Sequence, residues 1–248
     1  MFRRDPKRRS SGYRPRRDRD SASSPGPHAV LERFVLYVEG PRDREILAGW
    51  ARHVAPVFGP TLERSTVILG GRQPARAVED FRRRGGASAG LSGLVVLDRD
   101  DHPADHPEDR PAGSELEPGL ELFIWSLRHI ESYLLVPAAI RRIVPHAPDD
   151  RTLHAWIERH AAAAVRPEAR PGSRAGPHAK RMLGAGGALG ESLGVELRAG
   201  EIAKAMRRDE LHADVHDLFA RIAALRGVPF RPVVPVTGVD ARVDEPCD

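Results

Sequence analysis

The stretch FVLYVEGPRD, residues 34–43, decides the fold, because an apolar run ends there in a carboxylate. Apart from Glu32 and Arg33, residues 31–38 are apolar, β-branched or aromatic, which predicts a short buried strand. Glu39 closes that strand. The next residue is a glycine, which permits a sharp turn, and Pro41 then suits the first position of a helix. Asp43 falls in the first turn of this helix, near enough to face the same space as Glu39.

A second stretch, LVVLDRDD at residues 94–101, repeats the pattern of an apolar run that ends in acids. Asp98 and Asp100 stand two residues apart, so in extended backbone their side chains point the same way. Between the two stretches, residues 66–69 form a predicted strand and residues 75–84 a predicted helix. The resulting order of strand, helix, strand, helix, strand predicts an α/β fold with a parallel sheet flanked by helices.

The two acidic strand ends predict a metal site. The C-terminal ends of parallel strands meet at one edge of a sheet, where sites form. If the strands are neighbours, about 4.8 Å apart, Glu39 and Asp98 can share one cation. Hard oxygen ligands without a cysteine or histidine cluster select Mg²⁺ or Mn²⁺ rather than zinc. Each acidic stretch alone is equally typical of a turn or a cap, and only their combination favours a metal site.

The remainder of the chain is predicted to be mostly helical. Residues 101–119 contain four prolines and many acids, which predicts a long loop, and residues 120–125 form a fourth strand. A helix opens at Pro137, and further helices are predicted over residues 152–165, 178–184, 200–208 and 213–226. Residues 166–178 are rich in Pro, Gly and Arg, which is typical of a flexible link. The three tryptophans lie on apolar faces and are predicted to be core.

The positive charge is concentrated in the first 28 residues. They carry nine Arg or Lys and three Asp, so this segment has a charge of +6, whereas the whole chain has +4. With almost no apolar residue to repay the entropy of ordering, the segment is predicted to be disordered. Three interpretations stay open: an arm that binds nucleic acid without sequence preference, a solubilising leader, or a misassigned start codon. The basic residues proposed for nucleic-acid contact are Arg8, Arg9, Arg16 and Arg17.

Several classes are excluded by composition. The only cysteine among the 248 residues is Cys247, which excludes a disulfide framework and a cysteine-based zinc site. No run of about 18 apolar residues is present to span a membrane. The first residues lack the apolar core of a secretory signal, so we expect a cytoplasmic protein. His212 and His216 share a helical face, but with no third ligand in view a surface pair is the better interpretation.

The motifs resemble those of a known family. The segments YVEGPRD (37–43) and VVLDRD (95–100) resemble the Toprim domain, which is shared by topoisomerases, primases, small ribonucleases and the OLD (overcoming lysogenisation defect) nucleases. The spacing of Glu39 and Asp43 is similar to the OLD branch, and so is the segment RHIESYLL at 128–135. The resemblance covers residues 33–136 and continues more loosely to residue 226.

The resemblance implies a Toprim-like (Rossmann-like) sheet with a C-terminal helical extension. It divides the chain into a basic tail (1–28), a Toprim-like catalytic domain (29–136), a helical extension of that domain (137–226) and a Pro- and Val-rich tail (227–248). It implies the metal ligands Glu39, Asp43, Asp98, Asp100 and Glu131. Glu39 would also act as general base or acid. Lys180 would stabilise charge that develops on the phosphate, with Lys204 as the competing candidate and a solvated surface position as the alternative for both.

The chain departs from several branches of the family. It lacks the Gly-x4-Gly-Lys-(Ser/Thr) loop of the ATPase domain that OLD nucleases carry, and it lacks the cysteine-rich modules of the primases. Tyr37 and Tyr133 lie in apolar segments and are predicted to be core rather than nucleophiles. We therefore expect a stand-alone Mg²⁺- or Mn²⁺-dependent Toprim endonuclease acting on DNA or RNA. The resemblance to the OLD branch suggests a role in anti-phage defence with a separate ATPase, and the sequence leaves open whether the protein is a homo-oligomer. The alternatives are an RNA-processing ribonuclease and a non-catalytic subunit that binds nucleic acid or senses it.

Overall fold

The computed structural model describes residues 33–100, 114–164, 179–184 and 186–230. Five strands and nine α-helices are assigned in this part of the chain, together with three short 3₁₀ turns. In chain order the elements are β1 (Phe34–Val38), α1 (Pro41–Val54), α2 (Gly59–Leu62), β2 (Thr66–Ile68), α3 (Pro74–Arg83), the turn Gly86–Ala89, β3 (Ser92–Leu97), β4 (Glu115–Glu117), β5 (Leu120–Ile124), the turn Ile130–Leu134, α4 (Pro137–Ile143), α5 (Asp150–Ala164), α6 (Ala179–Met182), α7 (Ala188–Leu193), α8 (Ala199–Ala205), the turn Arg208–Glu210 and α9 (Ala213–Leu225).

The strands form one sheet in the order β2-β1-β3-β5-β4. All pairs are parallel except β4 with β5, which is antiparallel. The predicted α/β class is confirmed, and β1 and β3 are direct neighbours with Val38 opposite Val96. The prediction of a loop over residues 101–119 is wrong at residues 115–117, which form the edge strand β4. Residues 101–113 lie outside the described part of the chain.

The sheet buries both faces, as expected for strands whose residues are nearly all apolar. Alternate residues of β1 lie on opposite faces of the sheet. Leu36 and Val38 pack with α1 and the C-terminal helices, whereas Val35 and Tyr37 pack with Phe81 of α3. This alternation follows from the two-residue period of a strand. The first face carries a much larger core than the second, and this core extends into the helices after residue 137.

Helix α1 is the central element of the larger core. It begins at Pro41, and its buried residues recur at helical spacing: Ile46, Leu47, Gly49, Trp50, Ala51 and Val54. Gly49 allows α8 to approach closely, because a Cβ there would lie 2.8 Å from the Cβ of Ala203. The core prediction holds for Trp50 and Trp125, which are fully buried, and Trp156 packs against the same core from a partly buried position.

The C-terminal helices differ in detail from the prediction. Helix α7 was not expected, because its sequence ALGESL follows a glycine-rich stretch and is only six residues long. The helices predicted over 178–184 and 200–208 are shorter, at Ala179–Met182 and Ala199–Ala205. The predicted link over 166–178 and the C-terminal residues from 231 onward lie outside the described residues. Where helices are described, none is both long and apolar enough to cross a membrane.

Candidate metal centre

The site begins where β1 and β3 end side by side. Glu39 follows β1 directly and Asp98 follows β3 directly, so the parallel pairing brings both acids to the same edge. The backbone N–H of Asp98 donates to Glu39 Oε1 at 2.7 Å. The predicted proximity of these two strand ends is therefore present in the structure.

Asp98 is the most connected of the acids. Its side chain is fully buried, and both of its carboxylate oxygens accept hydrogen bonds. The Ile130 N–H donates to Oδ1 at 2.8 Å, and Lys180 Nζ donates to Oδ2 at 2.5 Å. The Asp98 carbonyl also accepts from the guanidinium of Arg72, in the loop after β2. Asp98 thus ties together the sheet edge, the 130–134 turn and helix α6.

Asp43 faces the same space from helix α1. Its Oδ2 accepts the N–H of Gly40 at 2.8 Å, which caps the first turn of the helix and fixes the carboxylate. Burial raises the pKa of Asp43 to about 7, with further contributions from the negative charges of Asp98 and Glu131. Burial likewise raises the pKa of Glu39 to about 6, and the neighbouring Asp98 and Asp100 add to this. The acids therefore act on one another as a single electrostatic cluster.

Glu131 comes from the turn after β5 and is almost fully buried, at 2% exposure. Burial is the largest cause of its raised pKa, and Asp98 adds to the rise. Arg42 Nη1 lies 3.3 Å from Glu131 Oε1. Glu131 Oε2 is buried and has no hydrogen-bond partner among the residues that the structure describes. A buried carboxylate oxygen without a partner is costly, so this atom is suited to a cation.

Asp100 belongs to the cluster, but not for the reason that the sequence suggested. It has a φ of 51°, the only positive φ at a non-glycine residue in the described chain, so the backbone after Asp98 is not extended. The expectation that Asp98 and Asp100 point the same way because they alternate along a strand is wrong. Aspartate tolerates this left-handed conformation better than most residues do. The Asp100 carboxylate lies 3.6 Å from His129 Nε2.

The structure distinguishes the two candidate lysines. Lys180 stands at the start of α6 with its ammonium on Asp98, although its side chain remains 42% exposed. Burial lowers the pKa of Lys180, but the charges of Asp98, Glu131 and Asp100 outweigh this and raise it overall. Lys204 pairs instead with Glu201 on helix α8, at 2.7 Å, and its carbonyl accepts from His53 if that ring is protonated at Nε2. Lys180 is thus the lysine that joins the acidic cluster.

A polar network behind the site fixes the loop after β5. The Tyr133 hydroxyl donates to Asp214 Oδ2 at 2.5 Å and accepts the N–H of Leu127 at 2.9 Å. The Ser126 N–H also donates to Asp214, at 3.2 Å. Asp214 lies in the first turn of α9, so this helix holds the loop that leads to Glu131. No local pattern in the sequence predicts this network, because it joins residues far apart in the chain.

Other candidates fall outside the cluster. The proposed nucleic-acid contacts Arg8, Arg9, Arg16 and Arg17 lie in the part of the chain that the structure does not describe. The prediction that His212 and His216 form a surface pair is correct only for His212. His212 is exposed and accepts the Asp214 N–H at its Nδ1, but His216 is buried on the inner face of α9. The core assignment of Tyr37 and Tyr133 is correct, since both are buried.

The acidic cluster has the donor chemistry for a hard divalent cation. Five carboxylates from four elements lie near one another, burial and the neighbouring negative charges raise the pKa of Asp43, and Glu131 Oε2 is a buried oxygen without a hydrogen-bond partner among the described residues. Across the described ranges, no group of three or more acidic, histidine or cysteine side chains is arranged so that it could hold a metal ion. At Asp98, Lys180 and the Ile130 N–H occupy both carboxylate oxygens. Loading a cation therefore requires the side chains to rearrange.

Comparison with known proteins gives structural neighbours only. No protein-family profile matches the sequence, and no curated protein does. The C-terminal region of the Xanthomonas campestris pv. campestris OLD protein is similar at 18% identity, covering 79% of this chain and 94% of that one, with a TM-score of 0.40. The C-terminal region of the Burkholderia pseudomallei OLD protein is similar at 16% identity, covering 78% and 98%, with a TM-score of 0.44. These neighbours are regions of OLD proteins, the group that the motifs resemble.

Proposed function

We propose that the protein is a Mg²⁺- or Mn²⁺-dependent nuclease that hydrolyses phosphodiester bonds in DNA or RNA. The observation that carries this proposal is the grouping of two buried carboxylates, three partly buried ones and one lysine at the edge of a parallel sheet. Glu39, Asp43, Asp98, Asp100 and Glu131 would hold the metal. A site with this much negative charge has no attraction for a phosphodiester until a cation neutralises it.

The bound metal would supply a water of lowered pKa and stabilise negative charge on the phosphate oxygens. Glu39 is placed to accept a proton, because its raised pKa of about 6 still leaves it mostly ionised at neutral pH. Lys180 is placed to donate to a non-bridging oxygen, since its half-exposed ammonium already lies at the cluster. Asp98 would hold the turn at 130–134 and helix α6 against the edge of the sheet, through its hydrogen bonds with Ile130 and Lys180.

A second candidate is a non-catalytic subunit that binds nucleic acid. One observation favours it: both carboxylate oxygens of Asp98 are already hydrogen bonded, as they would be in a purely structural ion pair. A binding module has no need for the remaining carboxylates, however, and burying them without a cation is costly. The nuclease therefore explains more of the site.

The test is a cleavage assay on plasmid DNA and structured RNA with Mn²⁺, Mg²⁺ or EDTA. We expect metal-dependent cleavage by the wild type and its loss in Glu39→Ala and Asp98→Ala. Glu201→Ala removes an acid from helix α8 that pairs with Lys204, and it should cut as the wild type does. If the wild type never cuts, or if Glu39→Ala cuts equally well, the nuclease proposal is wrong. Preference for RNA in the same assay would select the ribonuclease alternative.

Anti-phage defence with a separately encoded ATPase is a further part of the proposal, supported by the resemblance of the motifs to the OLD branch. The basic tail at residues 1–28 would add sequence-independent affinity for nucleic acid. Deleting that tail should weaken binding and flatten its salt dependence while leaving the rate of cleavage of saturating substrate unchanged.

A further inference from the structure

Glu131 has a weaker counter-ion than Asp98 has. Lys180 Nζ lies 2.5 Å from Asp98, whereas Arg42 Nη1 lies 3.3 Å from Glu131 and contacts only one of its oxygens. Arginine binds a carboxylate best through two parallel N–H donors, so a single long contact uses little of its capacity. The other oxygen of Glu131 is the buried atom for which no partner is found within the described chain. This ion pair is therefore the part of the site most easily opened.

Arg42 is also the most accessible cation of the site that is paired with a cluster carboxylate. Its side chain is 45% exposed, and it stands in the first turn of α1 next to Asp43. Its guanidinium also lies over the loop that follows α6, because a Cβ at Gly184 would meet Arg42 Nη2 at 3.3 Å. Arg42 is thus located between the turn that carries Glu131 and the element that carries Lys180, at the open side of the cluster.

We infer that Arg42 leaves Glu131 when this carboxylate takes up a divalent cation, and that it then binds a non-bridging oxygen of the substrate phosphate. The inference rests on the proposed nuclease function and adds a specific role to it. A metal at Glu131 removes the negative charge that holds Arg42, and a cation next to another cation is repelled. The phosphodiester brings the replacement negative charge to the same place.

The chemistry of arginine suits this exchange. Guanidinium stays ionised at any working pH, so Arg42 changes partner without changing its charge. Its planar donors match two phosphate oxygens at once, which a lysine ammonium does not. Lys180 and Arg42 would then both contact the phosphate, one from α6 and one from α1.

Three measurements on full-length Arg42→Ala, Arg42→Lys and the wild type test the inference. The first is Mn²⁺ affinity without substrate, by isothermal titration calorimetry. The second is the affinity for a labelled DNA duplex and a structured RNA, with Ca²⁺ in place of Mg²⁺ to slow the chemistry. The third is the single-turnover cleavage rate in Mg²⁺. Arg52→Ala is the matched control, because Arg52 is an exposed arginine in the last turn of the same helix.

We expect Arg42→Ala to bind Mn²⁺ at least as tightly as the wild type, because a competing cation has been removed. Its affinity for nucleic acid should fall by about 10-fold and its cleavage rate by about 100-fold, the size expected for losing one charged donor to a phosphate. Arg42→Lys should recover part of both losses, and Arg52→Ala should lose neither.

Two results would overturn the inference while leaving the nuclease intact. If Arg42→Ala loses Mn²⁺ affinity together with activity, Arg42 only positions Glu131. If Arg42→Ala binds and cuts like the wild type, it has no role in catalysis. A wild type that neither binds Mn²⁺ nor cuts either substrate overturns the proposed function and this inference together, so the two failures are distinguishable.

Discussion

The acidic cluster has a strand-borne half and a helix-borne half, and the two are held by different forces. Glu39 and Asp98 follow paired parallel strands, whose hydrogen-bond register fixes their backbone. Glu131 and Lys180 come from a five-residue turn and a four-residue helix. Segments this short have no stability of their own, so tertiary packing alone keeps them in place. The positions of Glu39 and Asp98 therefore depend on the sheet, whereas the positions of Glu131 and Lys180 depend on the packing of the whole core.

This difference predicts how mutations act. Changes to the strand-borne acids should alter chemistry while leaving the fold intact, because the register does not depend on the acidic side chains. Changes in the helical core should move Glu131 and Lys180 before they unfold the sheet. The predictions below separate these two behaviours.

The largest effect is expected for Asp98→Asn in the strand-borne half. Asparagine keeps an acceptor for the Ile130 N–H but loses the charge that attracts Lys180 and a cation. The cleavage rate should fall by about 10³-fold, within the range for removing a central charged group. Circular dichroism should remain unchanged. The control is Asp217→Asn, which changes an exposed acid on α9 and should leave the cleavage rate unchanged. Equal rates for the two variants would contradict the assignment of Asp98 to the catalytic site.

A smaller loss is expected in the helix-borne half, for Lys180→Ala. Removing one donor to the phosphate should reduce the single-turnover rate by about 10²-fold. Lys204→Ala removes the only other lysine in the described chain, and it should cut like the wild type because Lys204 pairs with Glu201 outside the cluster. If Lys204→Ala is the slower of the two, the assignment of the lysine is wrong.

Overpacking between α1 and α8 should test whether the helix-borne half depends on the core. Gly49→Val places a side chain where Ala203 already lies 2.8 Å from an added Cβ. We expect the free energy of unfolding to fall by about 1–3 kcal/mol, as overpacked cores do, and activity to fall as well. Urea denaturation measures the first quantity. Arg52→Val changes an exposed residue of the same helix, and it should change neither the free energy of unfolding nor the activity. If Gly49→Val is as stable as the wild type, α1 and α8 can move apart without cost and the expectation is wrong.

The two buried tyrosines offer a matched comparison of the two sheet faces. Tyr133→Phe breaks the contact with Asp214 behind Glu131, and Tyr37→Phe breaks a contact with Asp80 on the opposite face, at 3.0 Å. Each should cost about 1 kcal/mol of stability for the lost hydrogen bond. Only Tyr133→Phe should also slow cleavage, because its hydroxyl anchors the loop before Glu131. Equal activities would mean that the loop keeps its position without this anchor.

The smallest effect is on the pH dependence of stability in EDTA. Asp43 and Glu39 have pKa values of about 7 and about 6 in the folded protein, above those of the unfolded chain. The native state therefore binds more protons in this range, so stability should fall as pH rises from about 4 to about 7. Thermal unfolding should show a midpoint a few degrees lower at pH 8 than at pH 5. Asp43→Asn should flatten this dependence, and a midpoint that rises with pH in the same way for both proteins would contradict it.

The sequence predicted the strand-borne half because its signals are local. An apolar run followed by an acid and a glycine is visible within ten residues, and the alternation of strands and helices fixed the parallel order. These patterns alone do not predict that β1 and β3 are neighbours. The predicted metal site depends on that adjacency, which only the structure provides. The left-handed conformation of Asp100 was also missed, because nothing in the Asp-Arg-Asp spacing distinguishes extended from turned backbone.

The helix-borne half was less predictable because it depends on contacts between distant residues. Lys180 follows only from the resemblance of the motifs, with Lys204 as a competing candidate, and the abundance of arginine in the chain conceals Arg42 and Arg72. Tyr133 was correctly placed in the core, but its link to Asp214 spans 81 residues and leaves no local pattern. Strand β4 was missed for another reason: three residues in an acidic, proline-rich segment are too few to show a strand period.

The separation of Asp98 and Lys180 in the chain also determines the order in which the residues of the site are synthesised. Lys180 is synthesised 82 residues after Asp98. At the usual 5–20 residues per second, the ribosome needs about 4–16 s to cover that distance. Throughout this interval the nascent chain carries the strand-borne acids without the lysine that the proposed chemistry requires. In the proposed nuclease, the growing polypeptide would therefore present the strand-borne acids to a cation before it could present the lysine to a phosphate.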